Sequence, residues 1–582
     1  MIINTRPGFW RDLWALIHPY WKSEEKGSAW GLLIGVIALT LALVYMEVQF
    51  NQWNNAFFNS LQNKSQADFF KLMGKFGILA AIYIVLYIYS VYVNQWLQIR
   101  WRRWLTERYM TEWLYERTYY RMQLTGNGAD NPDQRIAEDL KLFVENTLEL
   151  VLGGLNAVVT LFAFLAILWG LSGALEFSWN GQVYEVYGYM VWVALAYAVV
   201  GTLLVHMVGK RLIPLQYDQQ RYEADFRYNL VRFRENMEGV ALYRGEQGEL
   251  AGFRTRFGKV MTNWWAIMKR IKLLNTFRYG YNQVAIVFPY LVTAPRYFAG
   301  KFTLGDLTQT AGAFGQVQGS LSWFINVYLL FANWKATVDR LTGFHHSVMN
   351  AQADRIANPG VATRPSDRDS IALENVDLLL PTGRKLVSNV NIQFQPGARV
   401  LVRGASGSGK STLFRAIAGI WPFGSGSITI PVGASLMMLP QRPYFPIGSL
   451  HAAVVYPSAP GAFDIERVKR VLLDVGLTQL ANRMHEEAHW NRMLSLGEQQ
   501  RLGVARALLH APVFLFLDEA TASLDEPSEA ALYRLLAERL PSTTLISIGH
   551  RSTLEAFHTR KLVLERDGEA FALRGQAQPG VS

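Results

Sequence analysis

The chain has 582 residues, a formal net charge of +11 and no cysteine, and 50% of its residues are hydrophobic. This length suits two or more domains. The absence of cysteine excludes a disulfide scaffold, a cysteine-ligated zinc or iron–sulfur site, and thiol catalysis. An apolar and aromatic portion of about 340 residues precedes a portion of about 210 residues that is typical of a soluble α/β domain, so disorder and a small secreted fold are also excluded.

The first predicted element is a helix within residues 1–26, where Trp10, Leu13, Trp14 and Ile17 recur at helical spacing among basic residues. This pattern favours a helix that lies in the membrane interface rather than a cleaved signal peptide. The alternative is that the segment extends the first membrane span.

Six predominantly apolar stretches follow, and each is long enough for a helix that crosses a bilayer, which needs about 20 apolar residues. They predict a transmembrane domain over residues 27–345, with spans at about 27–50, 74–98, 150–175, 186–210, 277–299 and 306–334. The alternative, a set of buried helices in a large soluble protein, is disfavoured because soluble cores seldom contain uncharged runs of this length.

Lysine and arginine are concentrated in two of the connections between these spans. Eight lie between Val93 and Leu150 and fourteen between Gly209 and Tyr279, whereas the other connections hold few. Because positive charge is enriched in cytoplasmic loops, this contrast predicts that both long connections and both termini are cytoplasmic. A nucleic-acid patch is the alternative for so basic a chain, and we disfavour it because these basic residues flank spans.

Polar side chains inside membrane spans are costly and usually face protein or water. The candidates are Glu47, Asn156, His206, Asn282, Gln283, Gln309, Gln316, Gln318 and Asn326, with Trp323, Phe324 and Tyr328 near them. They predict a hydrated central cavity and a hydrophilic or amphipathic cargo. The alternative for each polar residue is a hydrogen bond between helices.

The rest of the chain divides into a predicted linker at 346–370, an α/β domain at 371–573 and a tail at 574–582. In this domain an apolar strand leads into a loop with the pattern G-x-x-x-x-G-K-[ST] and then into a helix, an arrangement that binds phosphate through backbone N–H groups and the helix N-terminus. The predicted nucleotide-binding residues are Gly404, Ala405, Ser406, Gly407, Ser408, Gly409, Lys410, Ser411 and Thr412. We expect Lys410 to reach the β- and γ-phosphates and Ser411 to ligate Mg²⁺.

Two carboxylates, Asp518 and Glu519, follow the apolar strand Val513–Leu517. Beside a phosphate-binding loop such a pair is typical of the metal and water site of an ATPase. We expect Asp518 to hold Mg²⁺ through water and Glu519 to act as general base, and the alternative is an ordinary acidic strand end. His550 follows another apolar strand and is a candidate contact to the γ-phosphate, with a purely structural histidine as the alternative.

A later helix opens with Leu494-Ser495-Leu496-Gly497-Glu498-Gln499-Gln500-Arg501, which resembles the signature motif of ABC transporters. With Gln441, the phosphate-binding loop and the carboxylate pair, it follows the motif order of an ABC nucleotide-binding domain. The resemblance implies an ATPase that uses ATP and Mg²⁺, with Gln441 in catalysis and at the metal. It also implies that Ser495, Gly497 and Glu498 cap the ATP bound to a second copy, so that the active unit is a homodimer.

Three positions depart from the common pattern of that family. Leu496 stands where glycine is usual and Glu498 where glutamine is usual, whereas Gly497, which permits close backbone approach, is retained. Leu380 precedes Pro381 where many members have an aromatic residue that stacks on adenine. Leucine offers no π-stacking, so we predict weaker discrimination between ATP and GTP. The sequence leaves open whether Leu380 takes the adenine position.

The membrane portion contains distinctive motifs at 51–58, 101–106, 131–139, 234–238 and 243–246. They resemble the SbmA/BacA-like group of bacterial peptide and vitamin B12 transporters, in the version fused to a nucleotide-binding domain, and more distantly the peroxisomal fatty-acyl ABC transporters. The resemblance implies a type IV ABC exporter-like fold, in which an α-helical membrane domain of six transmembrane helices precedes the α/β P-loop domain. It also implies that Asp133 and Glu238 lie in cytoplasmic segments that couple the two domains.

These features predict a homodimeric half-transporter in the bacterial inner membrane that hydrolyses ATP to move peptides or cobalamin-like compounds by alternating access. The alternatives are an exporter of lipid, acyl or drug-like cargo, an ATP-gated or regulatory membrane protein, and a soluble ATPase of DNA repair or translation. Six spans disfavour the soluble ATPase. The sequence does not distinguish import from export.

Overall fold

The computed structural model describes residues 8–124, 131–179, 182–357 and 360–576. Two compact units divide the chain, the first comprising Met1–Thr111 with Asp130–His345 and the second Glu112–Ala129 with His346–Ser582. The described part of the first unit is helical with one β-hairpin, and the second contains a ten-stranded sheet with helices. A helical unit and an α/β unit are what the sequence predicts.

Long helices dominate the chain up to residue 357. They are α1 (Phe9–Lys22), α2 (Lys26–Gln62), α3 (Gln66–Leu114), α4 (Thr118–Leu124), α5 (Pro132–Gln134), α6 (Leu140–Ser172), α7 (Tyr189–Gly209), α8 (Leu212–Glu235), α9 (Met237–Tyr243), α10 (Glu246–Phe298), α11 (Leu304–Leu321) and α12 (Trp323–Ala357). Strands β1 (Ala174–Trp179) and β2 (Gln182–Tyr187) form an antiparallel hairpin between α6 and α7. The sequence did not predict this hairpin.

Three described segments are long and apolar enough to cross a membrane, namely Lys26–Gln62, Gln66–Leu124 and Pro132–Ser172. Tyr189–Leu204 is a shorter apolar helix. The fifth and sixth predicted spans fall in α10 and in α11 with α12, which do not meet the same criterion over their described residues. The count of six spans therefore stays a prediction.

The first unit shows two features of helix packing. Helix α1 is amphipathic, since Leu13 and Leu16 are buried while Trp10 is 68% and Trp14 62% exposed. This leaves an aromatic face outside, as the predicted interfacial helix requires. Helices α6, α7 and α11 share an apolar core, in which Phe314 is completely buried.

The second unit contains the nucleotide-binding motifs. Its strands are β3 (Ala362–Ser366), β4 (Ile371–Leu379), β5 (Lys385–Phe394), β6 (Arg399–Gly404), β7 (Gly424–Pro431), β8 (Leu436–Leu439), β9 (Gly448–Ser449), β10 (Glu487–Ala488), β11 (Phe514–Asp518), β12 (Thr544–Ile548), β13 (Arg560–Asp567) and β14 (Ala570–Gln576). Its helices after α12 are α13 (Lys410–Ile417), α14 (Leu450–Val455), α15 (Ile465–Asp474), α16 (Trp490–Met493), α17 (Leu496–His510) and α18 (Glu526–Arg539).

The sheet order β3-β7-β4-β5-β14-β13-β6-β12-β11-β8 explains where the site forms. Strands β8, β11, β12 and β6 are mutually parallel. Both β11 and β12 are almost entirely buried, and their residues are apolar except for Asp518, Thr544 and Ser547. Such runs are typical of strands covered on both faces. Because parallel strands end at the same edge, the residues that follow β6, β11 and β12 are brought together.

The predicted linker at 346–370 is wrong over most of its length. Helix α12 continues to Ala357, and Val348 and Ala351 on it are buried. Ala362–Ser366 is a strand that pairs in parallel with β7. The predicted tail is also too long, because Gln576 still pairs with Lys561, and its last six residues lie outside the described part of the chain.

Candidate nucleotide-binding site

The phosphate-binding loop joins β6 to α13, which begins at Lys410. Gly409 precedes the helix with φ of 95°, and a Cβ at this position would lie 2.6 Å from Val387 Cγ2. Glycine alone accepts both the left-handed backbone and this close approach. The strand, loop and helix therefore have the order that the sequence predicts.

Lys410 turns back over this loop. Its Nζ donates hydrogen bonds to the carbonyl oxygens of Gly404 at 2.9 Å and Ala405 at 3.0 Å. Burial lowers the pKa of Lys410, and the negative charges of Glu519 and Asp518 oppose this shift. The arrangement holds a cation at the loop, where a nucleotide phosphate requires one.

Two of the three predicted metal ligands meet beside the loop, where Ser411 Oγ donates to Asp518 Oδ1 at 2.9 Å. Burial raises the pKa of Asp518, and the hydrogen bond from Ser411 opposes that shift. Mg²⁺ prefers such oxygen ligands and usually combines one or two of them with water and substrate phosphate. No cluster of three or more His, Cys, Asp or Glu side chains suited to a metal occurs among the described residues. This donor set thus fits Mg²⁺ delivered with a nucleotide.

Glu519 lies at the centre of a second group. Gln441 Nε2 donates to Glu519 Oε2 at 3.3 Å, and His550 Nε2 lies 3.3 Å from Glu519 Oε1. The backbone of Glu519 is left-handed, with φ of 51°. Such strain in a residue other than glycine is often found at functional sites. Two candidates that are far apart in sequence, Gln441 and His550, thus converge on the carboxylate of Glu519.

Gln500 is a polar residue whose position the sequence did not reveal. It is 1% exposed, its Nε2 donates to the carbonyl oxygen of Gln441 at 3.0 Å, and its Oε1 accepts from the backbone N–H of Ser523 at 2.9 Å. Gln500 therefore links the helix of the signature motif to two other segments, one that contains Gln441, which contacts Glu519, and one that contains Ser523, which follows Glu519 in the chain. Only its place in the motif could have indicated it.

The signature residues form a complete helix cap at the start of α17. Glu498 Oε2 accepts from the backbone N–H of Ser495 at 2.9 Å and from its hydroxyl at 2.8 Å, and Gln479 Nε2 donates to Glu498 Oε1 at 3.0 Å. The hydrogen bonds from Ser495 lower the pKa of Glu498. These partners all lie outside residues 404–412, so the hydrogen bonds described for Ser495 and Glu498 are local to the signature region.

Leu380 lies in the turn between β4 and β5. Its backbone N–H donates to the carbonyl oxygen of Arg384 at 2.8 Å, and its side chain is partly buried against the core of the sheet. This place does not settle whether the side chain meets a purine ring, so the expected weak ATP preference stays a prediction.

The first unit contains a cavity of about 680 Å³ lined by parts of α2, α10, α11 and α12. Three of the predicted polar residues, Asn282, Gln318 and Asn326, line it. Gln309 does not, because its side chain is buried and its Oε1 accepts from Asn55 Nδ2 at 2.8 Å. For Gln309 the alternative of a hydrogen bond between helices is therefore the observed one.

The other residues predicted to line the cavity fall into three groups. Glu47, Asn156, Gln283 and Gln316 are not among the lining residues. Trp323 packs against Gly153 and Gly154, where an added Cβ would lie 3.1 and 3.2 Å from its ring. The side chains of His206, Phe324 and Tyr328 lie outside the described part.

Two known protein families match this chain, one over its helical portion and one over its α/β portion. The family described as "ABC transporter transmembrane region 2" matches residues 14–298 and the family "ABC transporter" matches residues 387–522. An "Uncharacterized ABC transporter ATP-binding protein" of Haemophilus influenzae is 37% identical over 96% of this chain and 92% of its own. "Inner membrane ABC transporter ATP-binding protein YddA" of Escherichia coli is 34% identical over 92% and 94%, and human "Lysosomal cobalamin transporter ABCD4" is 27% identical over 94% and 93%.

A solved structure supports the fold over the full length. It is that of a bacterial Atm1-family ABC exporter with ATP bound, with a TM-score of 0.70, 18% sequence identity, and coverage of 94% of this chain and 95% of the other. At this identity the likeness shows the fold alone. It confirms the predicted type IV exporter-like architecture.

A helical membrane domain followed by a P-loop domain with a signature helix defines an ABC half-transporter. The chain belongs to the ABC transporter family and is homologous to YddA and to the ABCD half-transporters. Its nucleotide-binding domain uses ATP with Mg²⁺, and this type of domain couples ATPase activity to transport. Half-transporters of this kind act as dimers in a membrane.

Proposed function

We propose that two copies of this chain form a homodimeric transporter in the bacterial inner membrane that hydrolyses ATP to ADP and phosphate and moves a hydrophilic or amphipathic solute by alternating access. The convergence of Gln441 and His550 on Glu519, next to Ser411 and Asp518, carries this proposal. A membrane domain and an intact set of ATPase groups in one chain favour active transport over a purely regulatory role.

Each group has a role in the proposed hydrolysis. The backbone of 404–412 and the Lys410 ammonium bind the phosphates, and Ser411, Asp518 and Gln441 would hold Mg²⁺. When bound, Mg²⁺ would neutralise negative charge on the phosphates. Glu519 accepts a proton from water as the water oxygen bonds to the γ-phosphorus and the bond to the bridging oxygen breaks. His550 donates to a γ-phosphate oxygen.

The dimer follows from the place of the signature residues. The chain has one phosphate-binding loop and one signature motif, and the partners of Ser495 and Glu498 are local. In the proposed homodimer, Ser495, Gly497 and Glu498 of one copy cap ATP on the other. The positive end of α17 favours that contact.

The motifs of the membrane domain support the SbmA/BacA-like assignment with a peptide or cobalamin-like cargo. Asp133 lies in the first turn of α5 and Glu238 in that of α9, and we assign both to coupling segments. Export of lipid or acyl cargo is the second candidate, because the membrane motifs also resemble, more distantly, those of the peroxisomal fatty-acyl transporters.

Glu519→Gln in proteoliposomes tests the proposal. We expect ATP hydrolysis to fall about 100-fold or more and cargo accumulation to stop, because water has lost its base. The matched control is Glu538→Gln, on the exposed surface of α18, which should leave both unchanged. Solute flux that persists without hydrolysis would contradict active transport and favour an ATP-gated channel. Peptides, cobalamin and acyl-CoA, each tested in both directions, identify cargo and polarity.

A further inference from the structure

The second unit contains a cavity of about 820 Å³, here called the arginine cavity. Its lining residues come from four segments of this unit, within 115–121, 351–355, 361–364 and 419–422. The described lining includes none of residues 404–412 and neither Asp518 nor Glu519. A ligand in the arginine cavity would therefore not occupy the phosphate-binding loop.

The lining of the arginine cavity is basic. It includes four arginines and, among the described lining residues, one carboxylate, namely Arg117, Arg121, Arg355, Arg364 and Glu116. Guanidinium groups repel one another unless negative charge lies among them. Their planar set of donors also matches the oxygens of carboxylate and phosphate groups in two-point contacts. This composition indicates an anionic ligand.

Two ion pairs balance part of this positive charge. Arg121 Nε lies 3.3 Å from Asp354 Oδ2, and Arg355 pairs with Glu116. The other two arginines of the lining leave an excess of two positive charges. A ligand that neutralises the cavity therefore carries at least two negative charges.

Arg117 is anchored at the cavity and keeps most of its donors. Its Nη1 donates to the carbonyl oxygen of Ala418 at 2.8 Å, just after the C-terminus of α13, where the helix dipole favours a cation. A guanidinium has five N–H donors, and no ion pair with a carboxylate is found for Arg117 in the part of the chain that the structure describes. The backbone is left-handed at Arg117, with φ of 64°, and at Glu116, with φ of 47°. Such strain in residues other than glycine is often found at ligand sites.

The edge of the sheet supplies the opposite donors. Thr363 and Arg364 lie on β3, the edge strand, and both are exposed. For Arg364 too, no carboxylate partner is found among the described residues. A Cβ added at Gly419 would lie 3.9 Å from Arg117 Nη1 and 3.8 Å from Thr363 Oγ1. The glycine thus leaves open a space next to a guanidinium and a hydroxyl, where an anionic oxygen would lie near both donors.

The size of the cavity separates a compact organic or inorganic ligand from a simple ion. A volume of about 820 Å³ is within the range of small-molecule sites, and a single phosphate would occupy only a small part of it. Several phosphate groups on one compact molecule fit both this volume and the excess of positive charge.

We propose that the arginine cavity binds a compact polyphosphate, with phosphate groups paired to Arg117 and Arg364. Such a ligand would join the turn that follows α3 to the edge strand of the sheet. The inference goes beyond the proposed transport function, because the site contains none of the residues assigned to ATP hydrolysis and does not depend on the cargo. The phosphate groups belong either to a soluble molecule or to a lipid headgroup, and the experiment distinguishes these sources.

Isothermal titration of the purified full-length chain in phosphatidylcholine nanodiscs tests the proposal. The probe is inositol hexakisphosphate, with inorganic phosphate and inositol for comparison. We expect the probe to bind with a Kd at least about tenfold lower than that of inorganic phosphate and inositol not to bind, because several phosphate groups meet several arginines. A wild-type chain that does not bind the probe, or that binds inorganic phosphate equally well, would overturn the inference.

Substitutions of single arginines separate this site from general electrostatics. Arg117→Gln and Arg364→Gln should each raise the Kd for the probe about tenfold or more, and Arg364→Lys should restore part of the affinity because it keeps the charge. Arg534→Gln removes an exposed positive charge on α18, outside the lining, and should leave the Kd unchanged. Arg364 is exposed on an edge strand, so its substitution tests the site even where Arg117→Gln does not fold. Equal effects of Arg364→Gln and Arg534→Gln would overturn the inference.

The phosphate-binding loop is the competing explanation for any bound polyphosphate. Lys410→Ala should weaken ATP binding and leave the Kd for inositol hexakisphosphate unchanged. Loss of probe binding in Lys410→Ala, with wild-type binding in Arg117→Gln and Arg364→Gln, would assign the probe to the nucleotide site and overturn the inference.

Nanodiscs of different lipids identify the source of the phosphate groups. Cardiolipin has two phosphates in one headgroup, and phosphatidylglycerol nanodiscs of equal total charge are the control. A Kd for the probe that is about tenfold higher in cardiolipin than in phosphatidylglycerol, with no such difference in Arg364→Gln, supports the site with a lipid headgroup as its occupant. Equal Kd values in the two lipids, with the loss of affinity in Arg364→Gln, support the site with a soluble polyphosphate.

Discussion

The surroundings of His558 predict that the stability of its domain against unfolding depends on pH. The residue is 4% exposed, and its ring nitrogens lie 2.7 Å from Leu554 O and 2.9 Å from Ser547 Oγ. Burial lowers the pKa of His558 to about 4; the hydrogen bond to Leu554 opposes the shift, and the charges of Arg399 and Arg403 add to it. The folded domain therefore holds this ring neutral.

The sign of the effect follows from proton binding. The folded pKa lies below the unfolded value of about 6.5, so at acid pH the unfolded chain binds more protons. The stability that the neutral ring provides is complete above about pH 6.5 and is lost as the pH falls towards 4. Between pH 7.5 and 5.0 the expected loss is about 2 kcal/mol, or about 4–8 °C in the melting midpoint of a domain of this size.

Thermal unfolding of the purified full-length chain at these two pH values measures the effect. We expect His558→Gln to reduce the difference between the two midpoints by about 4–8 °C, whatever its stability at pH 7.5. His485→Gln is the control, because His485 is exposed in the same domain, and it should keep the wild-type difference. A His558→Gln variant with the full wild-type pH dependence would refute the assignment of the proton to this ring.

Three further predictions concern the nucleotide site and the cavity. Leu380→Tyr should increase the ratio of kcat/KM for ATP over GTP about two- to tenfold through aromatic stacking, and an unchanged ratio would show that the residue does not meet the base. Glu498→Gln should lower the KM for ATP, because it removes a negative charge 2.8 Å from the Ser495 hydroxyl; a raised KM would instead show that the carboxylate is needed. Gly315→Leu should fill the cavity of the first unit and reduce ATP-driven solute accumulation in proteoliposomes about tenfold or more, whereas Gly170→Leu, at another helical position with nothing within 4 Å of an added Cβ, should not; equal losses would contradict the steric reason.

The geometry of the candidate nucleotide site was largely predictable because its information is local. Gly409 and Lys410 follow directly from a strand, and Asp518 and Glu519 end another, so short motifs specify both the residues and their place at the strand edge. Parallel pairing of β11, β12 and β6 supplies the rest. Gln500 was missed although it lies in the signature motif, because its role depends on contacts with Gln441 and Ser523 that the motif alone does not specify.

The membrane cavity and the linker were less predictable. Hydropathy located Gln309 within a span but not the neighbour that it faces, and Asn55 satisfies it. The predicted linker contains Pro365, which indicated a break. That residue lies on β3 at the edge of the sheet, where proline is tolerated because one side of the strand needs no hydrogen bond.

The length of α10 has a mechanical consequence. The helix runs without a break for 53 residues, and Arg278 lies about 48 Å along its axis from Glu246. Asn263 Nδ2 donates to Leu215 O and to Gln219 Oε1, both at 2.9 Å, which braces the middle of the rod against α8. A rotation of about 5° about the Arg278 end would displace the Glu246 end by about 4 Å, so a small tilt at one end of the helix and a large excursion at the other are the same movement.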